Sequence, residues 1–340
     1  MQQTAASEER GRLIDRAHAL LHSPTAPIAL ALLAFSISVP SIGLGLQLDD
    51  RTYLRLFASG RSPLELLHEN APVLAHDRQL GVFAWWSSPS FTIHFLRPTT
   101  ALSHWLESRC WPDAAWLMHL SNCLLYALLV GVAALLYREL SPRDSRLAGL
   151  AALMFTVDEG HAQSVGWIAS RHVVLATLFS LLALLSHIRG RVRRSWRLQL
   201  TSVVCTALAL SSAEYGVAAL AYITAYACVF EPGPLHARLT SVWPHALVGA
   251  SWISIYVALG CGVRDASWYR DPITAPADTF LQGLADLPLW LVSQLGGDVA
   301  SAAVVLQPSL SRTLAFLLLV PLLALLVPPL AASKPARFFA

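Results

Sequence analysis

Apolar residues in this chain neither alternate nor fall into a narrow helical stripe; they come in nearly unbroken runs. The runs 27–46, 116–137, 173–188, 245–263 and 313–332 each approach the length that carries a helix across about 30 Å of hydrocarbon. Two further stretches are less regular. Residues 147–157 are too short to span alone, but continued to 169 they make a full span. Its outer half then carries Asp158, Glu159, His161 and Gln163, polar groups that are costly at that depth unless they face a cavity. Residues 198–230 suit one oversized helix or two short ones hinged near Ser211, Ser212, Glu214 and Gly216, and the hinge is the expected form. The pattern predicts an all-α, polytopic integral membrane protein with about eight transmembrane helices.

Composition agrees. Apolar side chains make up 55% of the 340 residues and charged ones 13%, with a mean hydropathy of +0.52, where soluble domains carry about 25% charge. A water-soluble globular domain is excluded. The net charge of +3 comes from arginines spread over the connections, with Lys334 the single lysine, so no nucleic-acid patch is present. The five cysteines show no zinc-type spacing. Cys123, Cys205 and Cys228 read as small buried apolar residues, while Cys110 and Cys261 both approach the outer face.

Arginine sets the orientation, because positive residues in short connections stay on the cytoplasmic side. Arg10, Arg12 and Arg16 precede the first run, Arg138, Arg143 and Arg146 follow the second, and Arg189, Arg191, Arg193, Arg194 and Arg197 follow the run at 173–188. All fall on one side, together with Lys334 and Arg337, if the N-terminus is cytoplasmic and 198–230 is a hairpin. The expected organisation is a leader at 1–26, a transmembrane domain at 27–332 with outer loops 47–115 and 264–312, and a tail at 333–340, where a further span would naturally begin. The leader lacks a small-residue cleavage site, which makes the first run an uncleaved anchor. Trp85, Trp86, Phe91, Phe95, Trp105 and Trp111 in the first loop suit interfacial helices. Residues 276–295 suit an amphipathic helix on the outer leaflet.

Polar residues gather at three places, all at the outer end. Asp49 and Asp50 leave the membrane directly after the first run, where a half-shielded carboxylate can act as a general base. Residues 158–171 carry Asp158, His161, Gln163 and Arg171, a set suited to lining a cavity, with a planar guanidinium that fits a lipid phosphate or anchors the helix by snorkelling. Ser211, Ser212 and Glu214 place an acid at the top of the hairpin. No P-loop, nucleophile elbow, zinc-protease or dinucleotide motif is present.

In this order the elements resemble the GT-C superfamily of polyprenyl-phosphate-sugar-dependent membrane glycosyltransferases, in particular the protein O-mannosyltransferases and the transmembrane tetratricopeptide-containing O-mannosyltransferases. Asp49-Asp50 occupies the place of that family's acidic pair. Arg97-Pro98-Thr99-Thr100 is similar to its Arg-Pro-Leu-Thr motif, and His119 and Asn122 match a His and an Asn in its second span. Asp158 through Arg171 is similar to its His-Pro-x-His-x-Glu-x-Val-x-Trp-Ile-x-x-Arg stretch, and Ser212-Ala213-Glu214 to its Ser-Lys-Glu element. Asp158 and Glu159 replace the family's first His and Pro, Gln163 its Glu, and Ala213 its Lys.

The resemblance implies a sugar carried on a polyprenyl phosphate and transferred to a hydroxyl of a protein, lipid or glycan at the outer face. Asp49, with Asp50 beside it, would be the catalytic base. Arg171 and Arg97 would hold the phosphate, and His161 and Gln163, with Asp158 and Glu214 nearby, would line the donor pocket. No cofactor is specified, and a divalent cation is left open. The competing reading is a non-catalytic lipid-binding or transporter- or flippase-like membrane protein. The absence of any Asn-x-Ser/Thr sequon favours a bacterial inner membrane.

Overall fold

A computed structural model describes residues 19–47, 49–51, 54, 79, 86, 88, 91–265, 272, 275–293, 308–332 and 334. The leader before residue 19, Leu48, Trp85, Arg337 and most of the first outer loop lie outside them. The chain divides into two compact units, Met1–Glu69 with Phe95–Gly260, and Asn70–His94 with Cys261–Ala340.

In the first unit, α1 (Ala26–Ser38) begins with Pro27 in its first turn and tightens into a 3₁₀ segment over Val39–Gly43. Proline fits there because its missing N–H has no intrahelical acceptor to serve. After the outer loop come α2 (Pro98–Cys110) and α3 (Ala115–Leu140). The 26 residues of α3 reach about 39 Å. Its buried positions, among them Met118, His119, Asn122, Tyr126, Leu129, Ala133, Leu136 and Leu140, recur at helical spacing and form one face. Asp144 caps α4 (Ser145–Val157), accepting from the N–H groups of Arg146 and Leu147. A short α5 (His161–Gly166), a 3₁₀ turn (Ile168–Ser170) and α6 (Arg171–Val192) follow.

A tight turn with Arg194 at φ 50° leads into α7 (Trp196–Ser212), which packs along α6. Ala213, in extended backbone, hinges α7 to a 3₁₀ turn (Glu214–Val217) and α8 (Ala218–Val229). The fold-back is close: a Cβ on Gly216 would stand 2.3 Å from the backbone of Ala209. Gly216→Ala is therefore expected to open the hinge, read as a lower melting temperature in detergent. The unit ends with α9 (Leu235–Leu239) and α10 (Trp243–Ala258).

The arginine-rich helix ends meet on one side. Arg138 donates to the carbonyls of His22, Ser23 and Pro24, which precede α1. Arg189 pairs with Glu139 at 2.7 Å and Arg191 with Glu231 at 2.9 Å. The last contact brings the end of α8 back beside the end of α6, so 198–230 is a hairpin.

The second unit holds a two-stranded antiparallel ladder, β1 (Thr92–His94) with β2 (Gly262–Arg264), in the register Ile93 opposite Val263. It also holds α11 (Pro276–Ser293) and α12 (Pro308–Ala332). Leu289 and Val292 of α11 pack on Ala315 and Leu319 of α12, leaving Phe280, Leu281, Leu284 and Leu287 exposed.

Two sequence expectations change. Residues 147–169 do not form one span, because the chain leaves α4 at Asp158, whose Oδ1 accepts the N–H of Gly160 and closes a turn. The run at 245–263 stops as a helix at Ala258; Gly260 and Gly262 adopt positive φ, and Val263 lies in β2. The regular structure of the described residues is thus helical apart from one short ladder. Among the described residues, three helices are long and apolar enough to cross a membrane: Ala26–Gly43, Ala115–Leu140 and Ile168–Val192. Ser145–Val157, Glu214–Val229 and Ser309–Leu325 are shorter apolar helices. All five cysteines are free thiols.

Candidate functional site

The two carboxylates after the first span are placed very differently. Asp49 is exposed. Asp50 is 2% exposed, and its Oδ2 accepts the Gln47 N–H at 2.8 Å while Oδ1 accepts the Ala169 N–H at 2.7 Å. Burial pushes the Asp50 carboxyl above the usual range, and the two N–H groups pull it back only in part. Beside it is a small cavity of about 10 Å³ lined by Asp50, His104, Met118 and Ala169, a volume that suits one water molecule.

The peptide that cradles Asp50 is fixed by Arg171, two residues further on. Arg171 is 1% exposed. Its Nε donates to Asn122 Oδ1 at 2.6 Å, its Nη2 to the Met118 carbonyl at 3.0 Å, and its Nη1 pairs with Glu107 Oε2 at 2.6 Å. Asn122 Nδ2 also donates to the Val165 carbonyl at 3.1 Å, and His119 Nε2 bonds the Gly45 carbonyl at 2.8 Å. The segment 165–171 is thereby stitched to α3 on one side and to the acidic turn on the other. Arg171 neither snorkels nor presents a free fork at the surface, because each of its nitrogens already meets an acceptor.

Glu107 and His104 were not singled out in the sequence. The signal was there: Thr100, His104 and Glu107 fall at i, i+4 and i+7 of α2 and are all buried, a polar stripe facing inward. Burial, reinforced by the nearby positive charge of Arg171, holds His104 well below the ordinary imidazole range, so it is neutral.

Arg97 caps the start of α2, with Pro98 in the first turn. Its Nε and Nη2 both reach Glu214 Oε2, at 2.9 and 2.6 Å, and its guanidinium lies 4.1 Å from the centre of the Phe95 ring. Thr99 bonds Ser211 at 2.7 Å, and Thr100 donates to the Ser212 carbonyl at 2.8 Å, which docks α2 on the hinge after α7. His172 stacks on Tyr215 there and is close enough to feel the charge of Arg97.

The rest of the expected donor pocket is a separate groove. About 340 Å³ lies between the 3₁₀ end of α1 and the turn into α5, lined by Asp158, Glu159, His161 and Tyr126 with Ser41 and Leu44 opposite. His161 is wedged between Phe155 and Tyr126, with ring centres 4.6 and 5.4 Å away, and burial lowers its pKa from the ordinary value. Gln163 is exposed and does not line the groove. Thus Asp50, Arg171, Asn122 and His119 share one buried network. Arg97 and Glu214 form an ion pair at the α2–α7 junction, and His161 and Asp158 lie in the groove. Among the described residues, no cluster of three or more His, Cys, Asp or Glu side chains could hold a metal ion.

No family model matches this chain, and no solved structure matches it. It is 33% identical over 135 residues to the human protein O-mannosyl-transferase TMTC2, and equally to the mouse protein of that name. The matched segment is 38% of this chain but only 16% of the length of those relatives. The chain is a helical membrane protein distantly related to protein O-mannosyltransferase-like glycosyltransferases.

Proposed function

We propose that the chain is an integral membrane glycosyltransferase that moves a sugar from a polyprenyl-phosphate donor to a hydroxyl on a protein acceptor at the outer face. The observation that carries this reading is the asymmetric acidic pair. Asp50 is locked by two backbone N–H groups inside a buried network, and its neighbour Asp49 is left exposed directly after the first span.

In this reading Asp49 takes the proton of the acceptor hydroxyl, whose oxygen bonds the anomeric carbon as the bond from that carbon to the phosphate oxygen breaks. The electron pair leaves with the polyprenyl phosphate. Arg97 is the cation assigned to that phosphate, since it is partly exposed and held by a single carboxylate oxygen. Arg171 acts at one remove, by fixing the Ala169 N–H on Asp50. Stabilising charge that develops on the leaving phosphate is the largest expected contribution.

The arrangement of arginines supports a cytoplasmic N-terminus and about eight spans. Reporter fusions after Arg143 and Arg194 are expected inside and one after Trp86 outside; a cytoplasmic Trp86 loop would put Asp49 on the wrong side for this chemistry. The relatives are human and murine, so they lend nothing to a bacterial membrane.

The direct test is sugar transfer from a radiolabelled polyprenyl-phosphate mannose to a serine peptide by the full chain in nanodiscs. Arg97→Ala is expected to weaken donor binding about tenfold, the scale of one charge-assisted contact. A second reading, a protein that binds the lipid donor without chemistry, is favoured by the internal pairing of both arginines. It predicts donor binding with no transfer by the native chain.

A further inference from the structure

We infer that the groove between the end of α1 and the turn into α5 is the acceptor cleft, and that it takes a hydroxyl-bearing peptide segment with a cationic side chain next to the hydroxyl. This deepens the proposed reading and rests on it for the peptide nature of the acceptor. The groove is about 340 Å³, at the lower end of the size of ligand pockets, which suits a short extended segment.

Its walls choose the ligand's charge. Asp158 and Glu159 are exposed on the rim, and among the described residues no lysine or arginine lines the groove. A phosphate placed there would meet two carboxylates and no counter-charge, so the donor headgroup belongs elsewhere. A lysine or arginine beside the reacting hydroxyl would meet both acids.

The remaining lining is amphipathic. Leu44, Val157 and Val165 offer apolar surface, and the His161 ring lines the groove with a buried Nε2 that has no hydrogen-bond partner among the described residues. Such an atom can serve a hydroxyl or a peptide amide. Gly166 is buried on the floor, where a Cβ would make only ordinary contacts with Leu44 Cδ1 at 3.5 Å and Ser41 Cβ at 3.9 Å.

Along the chain the groove's lining and the cavity at Asp50 are close neighbours. The lining reaches Leu44 and Gly166, while the small cavity at Asp50 begins at Leu46 and Ile168, two residues on along both segments.

The experiment measures binding, independently of transfer. Full-length protein in zwitterionic nanodiscs is titrated with three fluorescent nonapeptides: one serine flanked by two lysines, the same serine flanked by two glutamates, and the lysine peptide with alanine for serine. The lysine–serine peptide is expected to bind about three- to tenfold more tightly than the glutamate peptide, the scale of two partly exposed ion pairs. The preference should shrink as salt is raised. It should vanish in the double variant Asp158→Asn with Glu159→Gln, whose side-chain amide oxygen at the first position can still accept the Gly160 N–H. Ala162→Trp, which fills the groove from an exposed position, should abolish binding of the serine peptides while leaving binding of a polyprenyl phosphate intact.

A glutamate peptide that binds as well, a preference that survives the double variant, loss of polyprenyl-phosphate binding in Ala162→Trp, or no peptide binding at all would each overturn the inference. Failure of the wider reading looks different. Peptides then bind with the expected charge preference and the native chain transfers no sugar. Transfer that is indifferent to the groove variants would leave the glycosyltransferase standing and remove the acceptor from this groove.

Discussion

Glu107→Ala is expected to destabilise the first unit by about 3–5 kcal/mol, because it leaves the Arg171 charge buried without its partner. The pair is 2.6 Å long, with side chains 1% and 8% exposed, so water cannot replace the lost carboxylate without opening the helix junction. Asn122 and the Met118 carbonyl still accept from Arg171, but neither supplies charge. Glu107→Gln keeps the acceptor oxygen and should cost less, whereas Glu107→Leu combined with Arg171→Met removes both charges and should fall near the native stability. Thermal unfolding in detergent of all three variants checks the claim. An unchanged melting temperature for Glu107→Ala would show that the pair is solvated and that Arg171 is free for a ligand.

Asp49→Asn should reduce sugar transfer by about 10² to 10⁴ while leaving donor binding unchanged, since the amide keeps the size of the side chain and loses its basicity. Asp50→Asn should behave differently. Its carboxylate accepts two backbone N–H groups, and an amide offers one oxygen, so one buried donor is stranded at a cost of about 1–3 kcal/mol. The two variants therefore separate a base from a structural cradle. Comparing donor binding, transfer and melting temperature for both decides the roles, and undiminished transfer by Asp49→Asn would remove the base from this turn.

Much of the candidate site could be read from residue types in order along the chain. The acidic pair after the first apolar run, the arginine before α2, the His and Asn in α3 and the polar stretch ending at Arg171 each break a local rule, and such breaks are visible without coordinates. Which of these groups would face a ligand was not visible. Asp49 and Asp50 are neighbours in sequence, yet one is exposed and the other takes an N–H from Ala169, a contact across 119 positions. Arg171 reads as a phosphate clamp or a snorkelling anchor until Glu107 is found beside it.

By itself the sequence determined the membrane class, the positions of the longer apolar helices and the gathering of the arginines at one end of them, because run length and charge are one-dimensional properties of the chain. The hinge after Ser212 was also within its reach, since an acid and a glycine interrupt an apolar run too long for one span. Only the tertiary structure decided that the chain turns at Asp158, that Val263 pairs as a strand, and that the expected donor pocket is divided among a buried network, an ion pair at the α2–α7 junction and an acidic groove. Those outcomes depend on which acceptor reaches which donor first among residues far apart in the chain. A buried charge takes whatever partner the packing brings within about 3 Å, and the order of residues does not record that distance.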